Sequence, residues 1–192
     1  MAKKIVVDEV YGKIKYNEDE WKKTEEIEFV FGKVKQSVKC EIEIYNSIYE
    51  ELKLGLFDEE DTIFWRNKPE ITEPEKSEEI AKKQKELYKV FLNNISDIVI
   101  NMKEAAIEEC DNMVNGREFA ELKKMFGKDK AERIFKYKSD EDKLESIRFC
   151  KMRVFSDRIE MTCTCDWYKP SGGFIIMGDK SVIMRPLDSL SI

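Results

Sequence analysis

Apolar residues recur along this chain with two different periods, and their order predicts an α+β fold. In VKQSVKCEIEI, Val34, Val38, Cys40, Ile42 and Ile44 fall on even positions, interrupted only by Gln36, with Lys35, Ser37, Lys39, Glu41 and Glu43 between them. A period of two places the apolar set on one face of a strand and leaves the other face to water. EIEFVF repeats the pattern with Ile27, Phe29 and Phe31, and Gly32-Lys33 between the two runs predicts a two-residue hairpin turn. A further strand is predicted near Val10 to Tyr16, with Val10, Ile14 and Tyr16 sharing a face.

From about Ser77 to Val114 the period changes. Ile80, Leu87, Tyr88, Phe91, Ile95, Ile98, Val99, Met102, Ala105, Ala106, Cys110 and Met113 are spaced mostly by three or four, which marks one broad stripe of a helix. Thr72, with Glu75 returning to it and Pro74 in the first turn, can cap the entrance, Ser77 is a competing cap, and Gly116 can end the helix. Unbroken, such a helix would span roughly 57 Å, which is long for a small domain and predicts a bend or break near Asn93-Asn94. A second helix carries Phe119, Leu122, Met125 and Phe126 before Gly127, and short turns are expected at Lys130 to Tyr137 and Asp140 to Leu144.

Four C-terminal runs return to sheet: Ile147 to Phe155, Arg158 to Trp167, Phe174 to Met177 and Ser181 to Met184. Turn chemistry separates them at Ser156-Asp157, Lys169 to Gly173 and Gly178-Asp179-Lys180. The expectation is a single α+β domain over residues 1–192. Its antiparallel sheet combines N-terminal hairpin strands with a C-terminal four-strand meander, and a long central helix and shorter helices pack on one face. Leu87, Phe91, Ile95, Ile98 and Met102 are then expected to cover the sheet face bearing Val38, Cys40 and Ile42.

Composition narrows the chemistry. With 42% hydrophobic and 11% aromatic residues in 192, the chain can bury a real core, while 39% charged residues give it a heavily charged surface. The opening MAKKIVVDEVYG holds no apolar run of signal length and no window approaches a spanning helix, so a cytoplasmic protein with no membrane partner is expected. The five cysteines are odd in number and lack framework spacing, which fits free thiols in a reducing compartment. No histidine occurs. Ser-His-Asp and Cys-His catalysis are thereby excluded, along with the commonest zinc ligand. No catalytic residue, metal site or cofactor is assigned from the sequence.

Charge is concentrated in an acidic connection at residues 46–76. Residues 50–79 hold eleven acids against four bases, a net of −7, so with −6 for the whole chain the remainder sums to +1. Such a segment repels nucleic acid and attracts a basic protein. Within it, Asp58, Glu59, Glu60 and Asp61 precede Phe64, Trp65 and Arg66. Four acids suit long-range steering and two aromatics suit buried anchoring. The same residues would equally serve a solvated connection in which Phe64 and Trp65 pin the chain to its own core.

The stretch TCTCDWYKPSGG carries two close cysteines. Along RIEMTCTCDW, Ile159, Met161, Cys163, Cys165 and Trp167 share one face and Glu160, Thr162, Thr164 and Asp166 the other, so both thiols belong to the apolar face. Zinc would need Cys40 or Cys150 as well, and the Cys-x-x-Cys knuckle is missing. A reactive thiolate would need a nearby positive group, whereas Glu160 and Asp166 are acids. Lys169 to Gly173 lacks phosphate-loop spacing and precedes a strand, so it reads as a hairpin loop.

Taken in order, VYGKIKYNEDEW, IEFVFGKVKQSVKCEIEI, QKELYKVFLNNISDIV and CDWYKPSGGFIIMGDKSVIMRPLDSL resemble an uncharacterised bacterial domain family seen among candidate toxin-immunity and accessory proteins. The likeness covers most of the chain outside residues 46–72. That family favours an acid between Trp167 and Gly172, where this chain has Tyr168-Lys169-Pro170-Ser171, so no metal or acid–base role is carried over. The resemblance, the missing catalytic constellation and the acidic segment together point to a non-enzymatic protein-binding module, a toxin-neutralising immunity protein, and the acidic segment suits a basic toxin domain as its partner. Two alternatives stand beside it: a hydrolase or thiol-dependent enzyme using Cys163 or Cys165 with a carboxylate, and a self-associating scaffold.

Overall fold

A computed structural model describes residues 4–17, 20–31, 34–45, 82–137, 139–168 and 171–187. They form one eight-stranded sheet whose spatial order is the order of the sequence: β1 (Lys4–Asp8), β2 (Gly12–Asn17), β3 (Glu20–Phe31), β4 (Val34–Tyr45), β5 (Arg148–Val154), β6 (Arg158–Thr164), β7 (Ser171–Met177) and β8 (Val182–Leu187). Every neighbouring pair is antiparallel except β4 with β5. A parallel pair needs a long crossover, and the helices fall between those two strands. They are α1 (Lys82–Asn93), α2 (Ile95–Val114), α3 (Phe119–Phe126), α4 (Lys128–Phe135) and α5 (Asp140–Glu145). The α+β class and the C-terminal meander are as expected.

Phe31 pairs with Val34, which closes the first hairpin where the sequence places it; Gly32 and Lys33 themselves lie outside the described residues. β3 begins at Glu20, six residues before the predicted run, because WKKTEE conceals a strand whose core-side positions include Lys23 and Glu25. These are satisfied locally: Lys23 bridges Glu25 at 2.7 Å and donates to the Tyr11 carbonyl, and the Tyr88 hydroxyl donates to Glu25 at 2.7 Å. β1 was not anticipated, being five residues long. Val10 belongs to the turn after it, where the Asp8 carboxylate accepts from the amides of Val10 and Tyr11.

The predicted helix break is present. Asn94 separates α1 from α2, with its side chain donating to the Val90 carbonyl at 2.8 Å. Leu87, Tyr88, Phe91, Ile98 and Met102 are buried and join Ile42, Ile44, Met152, Met161 and Phe174 in one core; the side chains of Val38 and Cys40 and the caps Thr72 and Ser77 lie outside the described residues. Gly127, at φ +86°, ends α3 and opens α4. Ser139 and Asp142 cap α5 reciprocally.

β5 alternates in two phases because it carries a bulge at Cys150. Phe149 pairs with Cys163 but Lys151 pairs with Thr162, so the buried set runs Ile147, Phe149, then Met152, Val154. β7 begins at Ser171, which corrects the reading of Lys169 to Gly173 as a loop: Gly172 and Gly173 pair within the sheet. A Cβ on Gly172 would lie 2.4 Å from Cδ2 of the buried Tyr168 ring. The glycine is required by close packing, not by an anion.

Candidate functional site

Asp58, Glu59, Glu60, Asp61, Phe64 and Trp65, the sequence-predicted partner-binding residues, lie outside the described residues. Two clusters of chemical groups stand out among the residues that are described.

One lies on the sheet face turned away from the core. The ladder registers align Ile5, Lys15, Lys22, Glu43, Arg153, Glu160, Ile175 and Ile183 in a single row across all eight strands. Its centre is buried: Glu43 is 3% exposed, Arg153 5%, Glu160 2% and Ile175 8%. Alternation predicts Glu43 and Glu160 on a wet face, so their burial is a departure from the sequence reading. Glu43 accepts from Lys22 at 3.2 Å, Lys151 at 2.8 Å and Arg153 at 3.4 Å. Arg158 donates to Glu160 at 2.8 Å and to Asp157 at 2.9 Å, and stacks over the Phe155 ring at 4.3 Å. Among the described residues Glu160 Oε2 has no hydrogen-bond partner. Burial pushes the Glu160 carboxyl above its usual range, although Arg158 and Arg153 pull against it. The arrangement is an ion-paired frame in a dry setting, in which burial works against the charge of one carboxylate and the arginines beside it work for that charge. A signal for half of it does exist in the sequence. Arg153 and Glu160 stand symmetrically about the Ser156-Asp157 turn, so a two-residue hairpin sets them opposite one another.

The other cluster surrounds a pocket of about 190 Å³ between α2, α4 and α5. Val114, Ile134 and Phe135 form its apolar wall and Cys110, Asp111 and Lys143 its polar side. The Lys143 ammonium is held by Asp111 at 2.7 Å and Asp140 at 2.9 Å. Burial disfavours that charge, but the two carboxylates outweigh it and raise the Lys143 pKa. Burial pushes the Cys110 thiol up to about 12, partly countered by Lys143. The pocket therefore presents a charged lysine and a protonated thiol, neither of which is a nucleophile at neutral pH. It is also smaller than the about 300–1,000 Å³ of ordinary ligand clefts. Beside it, Asp166 accepts from Tyr137 at 2.8 Å and from Arg133 at 3.1 Å, and Lys130 donates to the Cys165 carbonyl, which clasps α4 to the end of β6.

Cys163 and Cys165 are free, 0% and 3% exposed, and on the core face as the alternation predicts. Burial holds the Cys163 thiol well above its usual range and pushes Cys165 to about 12, against weak help from nearby amides and Lys130. Neither supplies a thiolate at neutral pH. Cys150, the bulge residue, is the exposed free thiol among those described. Among the described residues no three histidine, cysteine or acidic side chains converge as metal ligands, and no helix is long and apolar enough to cross a membrane. No protein-family model, curated protein or solved structure matches the chain.

Proposed function

We propose that this chain is a non-enzymatic protein-binding module that neutralises a basic partner, as an immunity protein neutralises a toxin domain. The observation that carries the reading is the separation of charge: −7 within residues 50–79 against +1 for everything else. A segment of that density accelerates encounter with a basic surface and repels nucleic acid. Asp58, Glu59, Glu60 and Asp61 supply the attraction, and Phe64 and Trp65 the desolvated contact. The body of the molecule is compatible with such a role, since its buried thiols are held protonated and its buried carboxylate row is tied into ion pairs.

The test is affinity capture from the native lysate with the full chain, run beside a variant in which Asp58, Glu59, Glu60 and Asp61 are all changed to Lys. A basic protein held by the native chain and lost by the variant supports the reading. Capture that is equal for both, or of no basic protein, overturns it.

A further inference from the structure

Among the described residues the sheet has two edges, β1 and β8, and they are built differently. β8 carries Pro186, which has no N–H to offer an added strand, next to the exposed Arg185. Proline and charge are the usual means of blocking an edge. β1, the sequence Lys4-Ile5-Val6-Val7-Asp8, has no proline. Val6 packs towards the core, opposite Ile14, while Ile5 and Val7 stand on the other face at 53% and 80% exposure. The strand is also fixed at its far end, because the Asp8 carboxylate accepts from the Val10 and Tyr11 amides and pairs with Lys85 at 2.8 Å.

Read antiparallel to itself about Val6, β1 is its own complement. Val6 meets Val6, and each Ile5 meets the Val7 of the other copy. Two β-branched cross-strand pairs form on the face where Ile5 and Val7 are exposed, and the outward main-chain groups of β1, which no described strand pairs, gain partners. We infer that β1 is a self-association edge that takes the β1 strand of a second copy of this chain, in antiparallel register centred on Val6. The contact is short. Two five-residue strands cover less than the roughly 1,000 Å² that a stable interface clears, so the dimer is weak and concentration-dependent. This inference is independent of the acidic segment and of any toxin.

Sedimentation velocity on the full chain, over a rising concentration series, tests it. The weight-average mass should climb from one chain towards two. Val7→Lys, which sets a cation against Ile5, should weaken the dimer at least about tenfold, whereas Ile183→Lys on β8 should leave it unchanged. Should Val7→Lys alter the melting curve, Ile5→Lys is read in its place. A mass that stays at one chain throughout overturns the inference, as does association that survives the β1 variant or is lost in the β8 variant.

Discussion

Two rows of residues cross the sheet one position apart and solve opposite problems. Trp21, Ile44, Val154, Ile159, Ile176 and Val182 lie in one row on the core face, and their immediate neighbours Lys22, Glu43, Arg153, Glu160, Ile175 and Ile183 lie in the other. The centres of both are buried. The apolar row closes by area alone, since removal from water contributes about 25 cal/mol per Å² whichever neighbour does the covering. The charged row has no such latitude. Each ion there loses its hydration and must recover it from a particular partner at hydrogen-bond distance. One strand thus obeys a tolerant rule on one face and an exacting rule on the next residue.

The largest effect should come from opening the tolerant side. Phe91, 1% exposed and packed with Tyr88, fills the core beneath α1. Phe91→Ala should cost about 3–5 kcal/mol, read as a lower urea midpoint at unchanged slope. A loss below roughly 1 kcal/mol would mean that α1 does not seal the core. On the exacting side, Glu43→Leu should cost somewhat less, about 3 kcal/mol, because it strips Arg153 of an acceptor while Lys22 and Lys151, 32% and 30% exposed, can return to water. The double change Glu43→Leu with Arg153→Met should recover part of that loss. An apolar row would never behave so: there a second truncation only deepens the first.

The contrast also explains which parts of the molecule were legible in its sequence. The apolar face was: Ile42, Ile44, Ile159, Met161, Cys163, Cys165 and Trp167 all lie where a period of two puts them. Periodicity reports hydrophobic burial and is silent about buried charge, so Glu43 and Glu160 read as wet. It also fails where phase slips, as at the Cys150 bulge, and where polar residues occupy core-side positions near an edge, as with Lys23 and Glu25 in β3. Gly172 looked like loop chemistry because the Tyr168 ring that demands it is brought there only by the fold. The proposed partner-binding residues 58–66 were legible as composition alone, since charge density needs no geometry to be seen.

A smaller and differently shaped effect is expected from acid and base. Burial raises the Glu160 pKa, so the native state keeps that proton after the unfolded chain has lost it. Its contribution is therefore complete below the ordinary glutamate range and is lost as pH rises through the raised native value. Asp8 and Glu25 run the other way. Burial opposes their charge, but Lys85 with two amides, and Lys23 with Tyr88, outweigh it and lower both pKa values. Their contribution is present above the ordinary carboxylate range and lost as pH falls through the lowered values. Urea midpoints measured from acid to neutral pH should show Glu160→Gln removing a decline towards neutrality, and Asp8→Asn removing a decline towards acid. Identical profiles for the two variants would show that the charged row is solvated after all.

The smallest change provides the control for burial itself. Lys82 and Glu86 form an i,i+4 pair at 3.7 Å on α1, with side chains 90% and 60% exposed, whereas the Arg158–Glu160 pair has side chains 8% and 2% exposed. The charges are of the same kind in both, and only the medium differs. In water the Coulomb gain is nearly cancelled by hydration, and salt screens the remainder. Glu86→Gln should thus cost no more than about 0.5 kcal/mol, and less again in high salt. Arg158→Met should cost several times more with little salt dependence, because it leaves Glu160 buried without its nearest cation. If the two substitutions prove equal, exposure is not what separates the faces of this sheet, and the buried row is held together by its packing instead of its charges.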